Sequence, residues 1–112
     1  AWAESGAVAF NVEDPAARSD VVTTILTPGL TGAGNGPDDL RALCHARMGV
    51  VLGMGIGQFG GRAFRIGHMG HVNAPMIMGV LGAAEAGMGA MGIEVRSGLA
   101  AAAETMARAI RP

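Results

Sequence analysis

The sequence predicts an α+β domain in which a small, partly antiparallel sheet of about three to four strands is covered by helices. Short β-branched or apolar runs and longer segments of helical periodicity occur in the order strand, helix, strand, strand, helix, helix. The 112 residues suffice for one domain with a modest core. Half of the residues are apolar and the formal charge is −1, which excludes a disordered chain.

The first half of the chain contains a predicted strand and a predicted helix. Residues 7–10 are a short apolar run, and Val21 to Leu26 is β-branched almost throughout, which favours a strand. Pro37 opens the helix, because proline suits the first helical position and two aspartates follow in the first turn. Gly49 is expected to end it. Its apolar face is formed by Leu40, Leu43, Cys44 and Met48.

The second half adds two strands and two helices. Residues 50–52 and 63–66 are predicted strands. Asn73 is expected to cap a long helix that runs from Ala74 to about Met91. Ser97 is expected to cap a last helix, on which an exposed Glu104–Arg108 pair is predicted. The inward side chains of the last helix are predicted to be Leu99, Ala103, Met106 and Ile110.

The glycines of residues 55–60 match the pattern G-x-G-x-x-G after a strand. A dinucleotide site requires a helix N-terminus directly after this pattern to receive the pyrophosphate. The following residues, 61–66, are strand-like, so the motif is interpreted as a loop between two strands.

Three classes of partner are disfavoured. The eight arginines are scattered, so no basic face for nucleic acid is expected. Residues 74–93 have the length of a membrane span, but the central Glu85 is costly in lipid, which favours a helix buried between protein layers. His68, His71 and the pair Cys44–His45 match no zinc spacing, so no metal site is predicted, and Cys44 is expected in the core. The single cysteine favours a reducing, cytoplasmic location.

Arg65 is the main candidate for a functional residue. It is a permanent charge in an apolar strand, and the chain has no lysine, so its own side chains cannot form a Schiff base. Gly67 and His68 begin a loop that runs to the start of the long helix. A flexible backbone, a guanidinium and a helix N-terminus at one place would form an anion pocket. The alternative is an arginine that turns towards solvent or pairs with an acidic residue.

These segments together resemble a known family. The stretches 14–20, 48–57 and, above all, 64–73 with its sequence Arg-Ile-Gly-His-Met-Gly are similar to the C-terminal small domain of class V, fold-type I pyridoxal-phosphate-dependent aminotransferases. The alanine-glyoxylate and serine-glyoxylate type is the most similar branch.

The resemblance implies that residues 1–112 are a single domain, the C-terminal fragment of a longer, homodimeric enzyme. An upstream large domain would bind pyridoxal 5'-phosphate and carry the lysine and the other cofactor contacts. The enzyme would move an amino group from an alanine- or serine-type amino acid to a 2-oxo acid such as glyoxylate. Arg65 would bind the α-carboxylate of both substrates. The chain alone would hold no catalytic or cofactor-binding residue and would be inactive.

Two other functions remain open at this point. A non-catalytic α+β module could bind an anion, or a partner through a smooth helix face formed by Gly79, Ala83 and Gly87. Another class V reaction, such as that of a desulfurase or a lyase, is compatible with the same small domain.

Overall fold

The computed structural model describes residues 1–112 and contains three α-helices and four strands. The strands are β1 (Ala9–Phe10), β2 (Val22–Leu26), β3 (Gly53–Met54) and β4 (Ala63–Gly67). The helices are α1 (Pro37–Met48), α2 (Ala74–Ala90) and α3 (Gly98–Ala109). The predicted α+β class is therefore confirmed.

The four strands form one sheet in the order β1-β2-β4-β3, and all neighbouring strands are antiparallel. The predicted strand at residues 50–52 is wrong, because their backbone groups bind α1 instead. The Val50 amide donates to the Cys44 carbonyl at 3.2 Å, and the Leu52 carbonyl accepts from Arg41 Nε at 3.0 Å. The strand begins only at Gly53.

The core lies between one face of the sheet and the helices. Phe64 of β4 and Leu40 of α1 are completely buried, as is Met88 of α2. Cys44 is also completely buried, as predicted, and its thiol donates to the Ala83 carbonyl at 3.6 Å. Burial raises the pKa of this thiol, so it stays protonated and acts as a small apolar side chain.

Helix α2 lies between α1 and α3. The predicted cap is confirmed, since the Asn73 side chain accepts from the Met76 amide at 2.9 Å. Ala83 and Gly87 are buried where α1 packs, so they are not available to the smooth partner face that the alternative of a non-catalytic module would use. Only Gly79 of that set is exposed. No helix combines the length and the apolar character that crossing a membrane would require.

Helix α3 begins at the predicted cap, where Ser97 Oγ accepts from the Ala100 amide at 3.1 Å. The predicted burial of Ala103 and Ile110 is wrong, because the helix packs substantially only on α2, and Ile110 is 75% exposed. The predicted Glu104–Arg108 pair is also absent.

The carboxylate of Glu85 connects three parts of the fold. One oxygen, Oε2, accepts from Trp2 Nε1 at 2.9 Å and from the amides of Gly98 at 2.8 Å and Leu99 at 3.2 Å. Burial raises the pKa of Glu85, but the hydrogen bonds outweigh it and leave the pKa below its ordinary value. The single charge in the long helix therefore holds the N-terminal segment and the start of α3 on α2.

Candidate functional site

Arg65 lies on the face of the sheet opposite to the helices. Side chains alternate along β4, so Phe64 and Ile66 enter the core while Arg65, between them, points to the other face. Arg65 is half-buried and forms no ion pair; the two ion pairs of the chain are Arg41–Asp38 and Arg96–Glu4. The alternative in which an acidic residue neutralises this arginine is therefore not observed.

One hydrogen bond holds the guanidinium of Arg65. Its Nε donates to the Met54 carbonyl at 2.8 Å, and the N–H groups on its two terminal nitrogens have no acceptor in the protein. Met54 belongs to β3, which is an edge strand. The guanidinium thus extends across the edge of the sheet with its terminal nitrogens free. That geometry suits a carboxylate, which can accept two parallel hydrogen bonds from one arginine.

The backbone next to Arg65 leaves space for its side chain. Gly53 of β3 pairs with Arg65, and a Cβ atom at Gly53 would lie 3.2 Å from Arg65 Cβ and 3.5 Å from Arg65 Nε. On the other side, Thr24 of β2 pairs with Arg65. The arginine side chain therefore leans over a position that carries no side chain of its own.

His68 does not lie beside Arg65. Its Nδ1 is 3.0 Å from the Asp20 carbonyl and its Nε2 is 2.9 Å from Thr23 Oγ1. A carbonyl can only accept, so Nδ1 donates the first bond, and in a neutral imidazole Nε2 accepts from the threonine hydroxyl. Both ring nitrogens are engaged on the helix-covered face, where His68 lines a largely apolar groove with Ile66, Ile77 and Leu81.

The side chains of Arg65 and His68 therefore do not meet in one pocket, which the predicted convergence at this loop would require. Gly67 ends β4 on the same face as Arg65 and is exposed. The His68 amide donates a hydrogen bond to the Val21 carbonyl at 2.7 Å, so His68 continues the pairing with β2. His68 lies three positions after Arg65, and an odd spacing along a strand places two side chains on opposite faces. Strand alternation was the available sequence signal for this separation.

The glycine-rich segment 55–60 is a loop between β3 and β4, as predicted. It folds tightly on itself, since a Cβ atom at Gly55 would clash with the Phe59 carbonyl oxygen. Strand β4 follows it, so no helix N-terminus is available for a pyrophosphate. No group of three or more histidine, cysteine, aspartate or glutamate side chains is placed to hold a metal ion.

Known proteins similar to this chain in sequence are aminotransferases. The chain is 36% identical over 93 residues to a serine–glyoxylate aminotransferase of Methylorubrum extorquens and 34% identical over 94 residues to that of Hyphomicrobium methylovorum. These matches cover 81% and 82% of the chain, but the chain spans only 22% of either relative. No family model matches the chain.

Solved structures with the same fold are also aminotransferases. A ureidoglycine–glyoxylate aminotransferase from Bacillus subtilis superposes with a TM-score of 0.73 at 22% identity, over 93% of this chain and 28% of that one. A pyridoxamine–pyruvate aminotransferase from Mesorhizobium loti superposes with a TM-score of 0.78 at 24% identity, over 96% of this chain and 29% of that one. These similarities establish the fold.

The resemblance inferred from the sequence is confirmed by these findings. The chain is a homologue of serine–glyoxylate aminotransferases over a segment that makes up 22% of their length, and it has the fold of segments of two further aminotransferases.

Proposed function

We propose that residues 1–112 are the C-terminal small domain of a pyridoxal-phosphate-dependent aminotransferase, and that Arg65 binds the carboxylate of its substrates. The observation that carries this proposal is the guanidinium of Arg65, which is fixed at Nε and free at both terminal nitrogens. The homologues that act on serine and glyoxylate support a reaction between an amino acid and a 2-oxo acid.

A single arginine serves both half-reactions in this proposal. The amino-acid donor and the 2-oxo-acid acceptor each carry a carboxylate next to the reacting carbon. A charge-assisted hydrogen bond contributes about 1.5–3 kcal/mol, and a bidentate contact also fixes the plane of the carboxylate. Holding the carboxylate in one plane orients the reacting carbon, which affects the chemical step as well as binding.

The residues of this chain do not provide a covalent attachment site for the cofactor. Residues 1–112 contain no lysine and so lack the side chain to which pyridoxal phosphate binds covalently. In our proposal the cofactor belongs to a large domain upstream, against which this domain would pack. The isolated 112-residue chain is then expected to show no transamination of serine or alanine with glyoxylate. Turnover by the purified chain would contradict this division of roles.

Substitution of Arg65 tests the proposal in the complete protein. Arg65→Ala is expected to raise the KM for both the amino acid and the 2-oxo acid by about tenfold to a few hundredfold, because both lose the same contact. Cofactor absorbance should remain. Arg65→Lys should recover part of the loss, since a lysine keeps the charge without the planar pair of donors.

Arg108→Ala is the matched control, because Arg108 is an exposed arginine on α3. Its KM values should equal those of the unaltered protein. Equal KM values for Arg65→Ala and Arg108→Ala would exclude Arg65 as the carboxylate-binding residue.

The two alternative functions can be tested with the complete protein as well. The non-catalytic module loses most of its suggested partner face, since Ala83 and Gly87 are packed against α1. A desulfurase or lyase would use the same carboxylate contact but would not return the amino group to a 2-oxo acid. Product analysis with serine and glyoxylate, looking for glycine, separates these reactions from transamination.

A further inference from the structure

We propose that Gly53 is a positioning residue for Arg65: the missing side chain at this position sets the direction in which the guanidinium lies. The inference rests on the proposed role of Arg65 as the carboxylate-binding residue. It assigns a second residue to that site, one that would act through Arg65 and not by touching the substrate.

The spacing between β3 and β4 carries the inference. Directly opposite residues in an antiparallel pair ordinarily have Cβ atoms about 4.5–5.5 Å apart. A Cβ atom at Gly53 would lie only 3.2 Å from Arg65 Cβ and 3.4 Å from the Arg65 carbonyl oxygen. The stem of the arginine thus occupies space that a side chain on β3 would normally take.

The direction of the guanidinium follows from this close approach. Because nothing projects from Gly53, Arg65 can lean over β3 until its Nε reaches the Met54 carbonyl at 2.8 Å. That bond uses one donor and leaves the terminal nitrogens beyond it free. A glycine within a strand weakens the strand and often marks the close approach of another group. Here the approaching group is the stem of Arg65.

A methyl group at Gly53 is expected to move Arg65 while leaving its charge intact. The arginine stem and backbone would have to yield by several tenths of an ångström, which lengthens or breaks the bond from Nε to the Met54 carbonyl. Displacement of a binding group by about 1 Å can cost about a hundredfold in rate, so a smaller displacement has a smaller effect.

The experiment measures substrate kinetics of the Gly53→Ala variant in the complete protein. KM for the amino acid and for the 2-oxo acid should each rise by about threefold to thirtyfold, with cofactor absorbance unchanged. Gly79→Ala is the matched control, because a Cβ atom at Gly79 on the exposed side of α2 meets nothing within 4 Å. Its KM values should not change.

A double variant separates positioning from a general structural effect. If Gly53 acts through Arg65, then Gly53→Ala should raise KM no further when Arg65 is already alanine. A further rise in that background, or no rise from Gly53→Ala alone while Arg65→Ala has its large effect, would overturn the inference and leave the role of Arg65 intact. If Arg65→Ala itself has no effect, the proposed function fails, and the inference fails with it.

Discussion

Phe64 and Arg65 are neighbours in β4, yet they lie in opposite environments. Phe64 is completely buried between the sheet and the helices, whereas Arg65 is half-buried on the other face with free donors. Phe64 is enclosed by this chain's own side chains. On the other face, Arg65 forms no ion pair, and in our proposal its free terminal nitrogens bind the carboxylate of the substrate. In our proposal, one face of β4 thus stabilises the domain and the other binds substrate.

The largest expected effect concerns the buried member of this pair. Phe64→Ala should destabilise the domain by about 3–5 kcal/mol, because it removes an aromatic ring from a site with no exposure and leaves a cavity. Arg65→Ala should cost no more than about 1 kcal/mol, since it loses one hydrogen bond to a backbone carbonyl. Urea unfolding followed by circular dichroism measures both. Similar losses for the two variants would disprove the division between the faces.

The second prediction tests how closely α1 and α2 pack against each other in the helical layer. A Cβ atom at Gly87 would lie 2.7 Å from Leu40 Cδ1 and 3.0 Å from Cys44 Sγ, and both neighbours are fully buried. Gly87→Ala should therefore destabilise the domain by about 1–3 kcal/mol. Gly79→Ala, in open space on the same helix, should stabilise it by about 0.5–1 kcal/mol because alanine favours the helix. Changes of the same sign would show that α1 and α2 pack less closely than described.

The smallest expected effect is the pH dependence that Glu85 gives to the helical layer. Since the folded pKa of Glu85 lies below its ordinary value of 4.5, its contribution is complete above that pH and is lost as the pH falls through the folded pKa. Glu85→Gln should thus remove part of the stability of the domain at pH 7. It should also reduce the loss of stability that occurs as the pH falls below 4.5. Thermal unfolding at a series of pH values measures this. Glu104→Gln, at an exposed position of α3 without hydrogen-bond partners, should retain the decline.

The helices could be predicted from the sequence because their signals are local. Pro37, Asn73 and Ser97 mark helix starts, and Gly49 ends α1 with the left-handed backbone (φ 66°) that glycine adopts readily. Strand β3 could not be placed in the same way. Its start depends on where the Arg41 side chain meets the Leu52 carbonyl, eleven residues further along. Such a contact is set by tertiary packing and leaves no pattern in the local sequence.

The candidate site was predictable only in part, because it too combines a local sequence signal with tertiary contacts. Arg65 is conspicuous as a charge within an apolar strand, but its surroundings depend on which strands pair with β4. Strand pairing places Gly53 beside Arg65, while the His68 side chain lies on the opposite face of the sheet. The contacts of Glu85 with Trp2 and Gly98 span 83 and 13 residues, so composition alone could not indicate them.

The hydrogen bond between Trp2 and Glu85 also makes Trp2 an intrinsic fluorescent probe of this region. Trp2 is the only tryptophan and tyrosine is absent, so near-ultraviolet emission of the isolated chain arises almost entirely from one indole. That indole is 8% exposed, and its N–H donates to a carboxylate that also holds the start of α3. Its emission therefore reports, without any added label, whether the beginning of the chain is docked where its last helix starts.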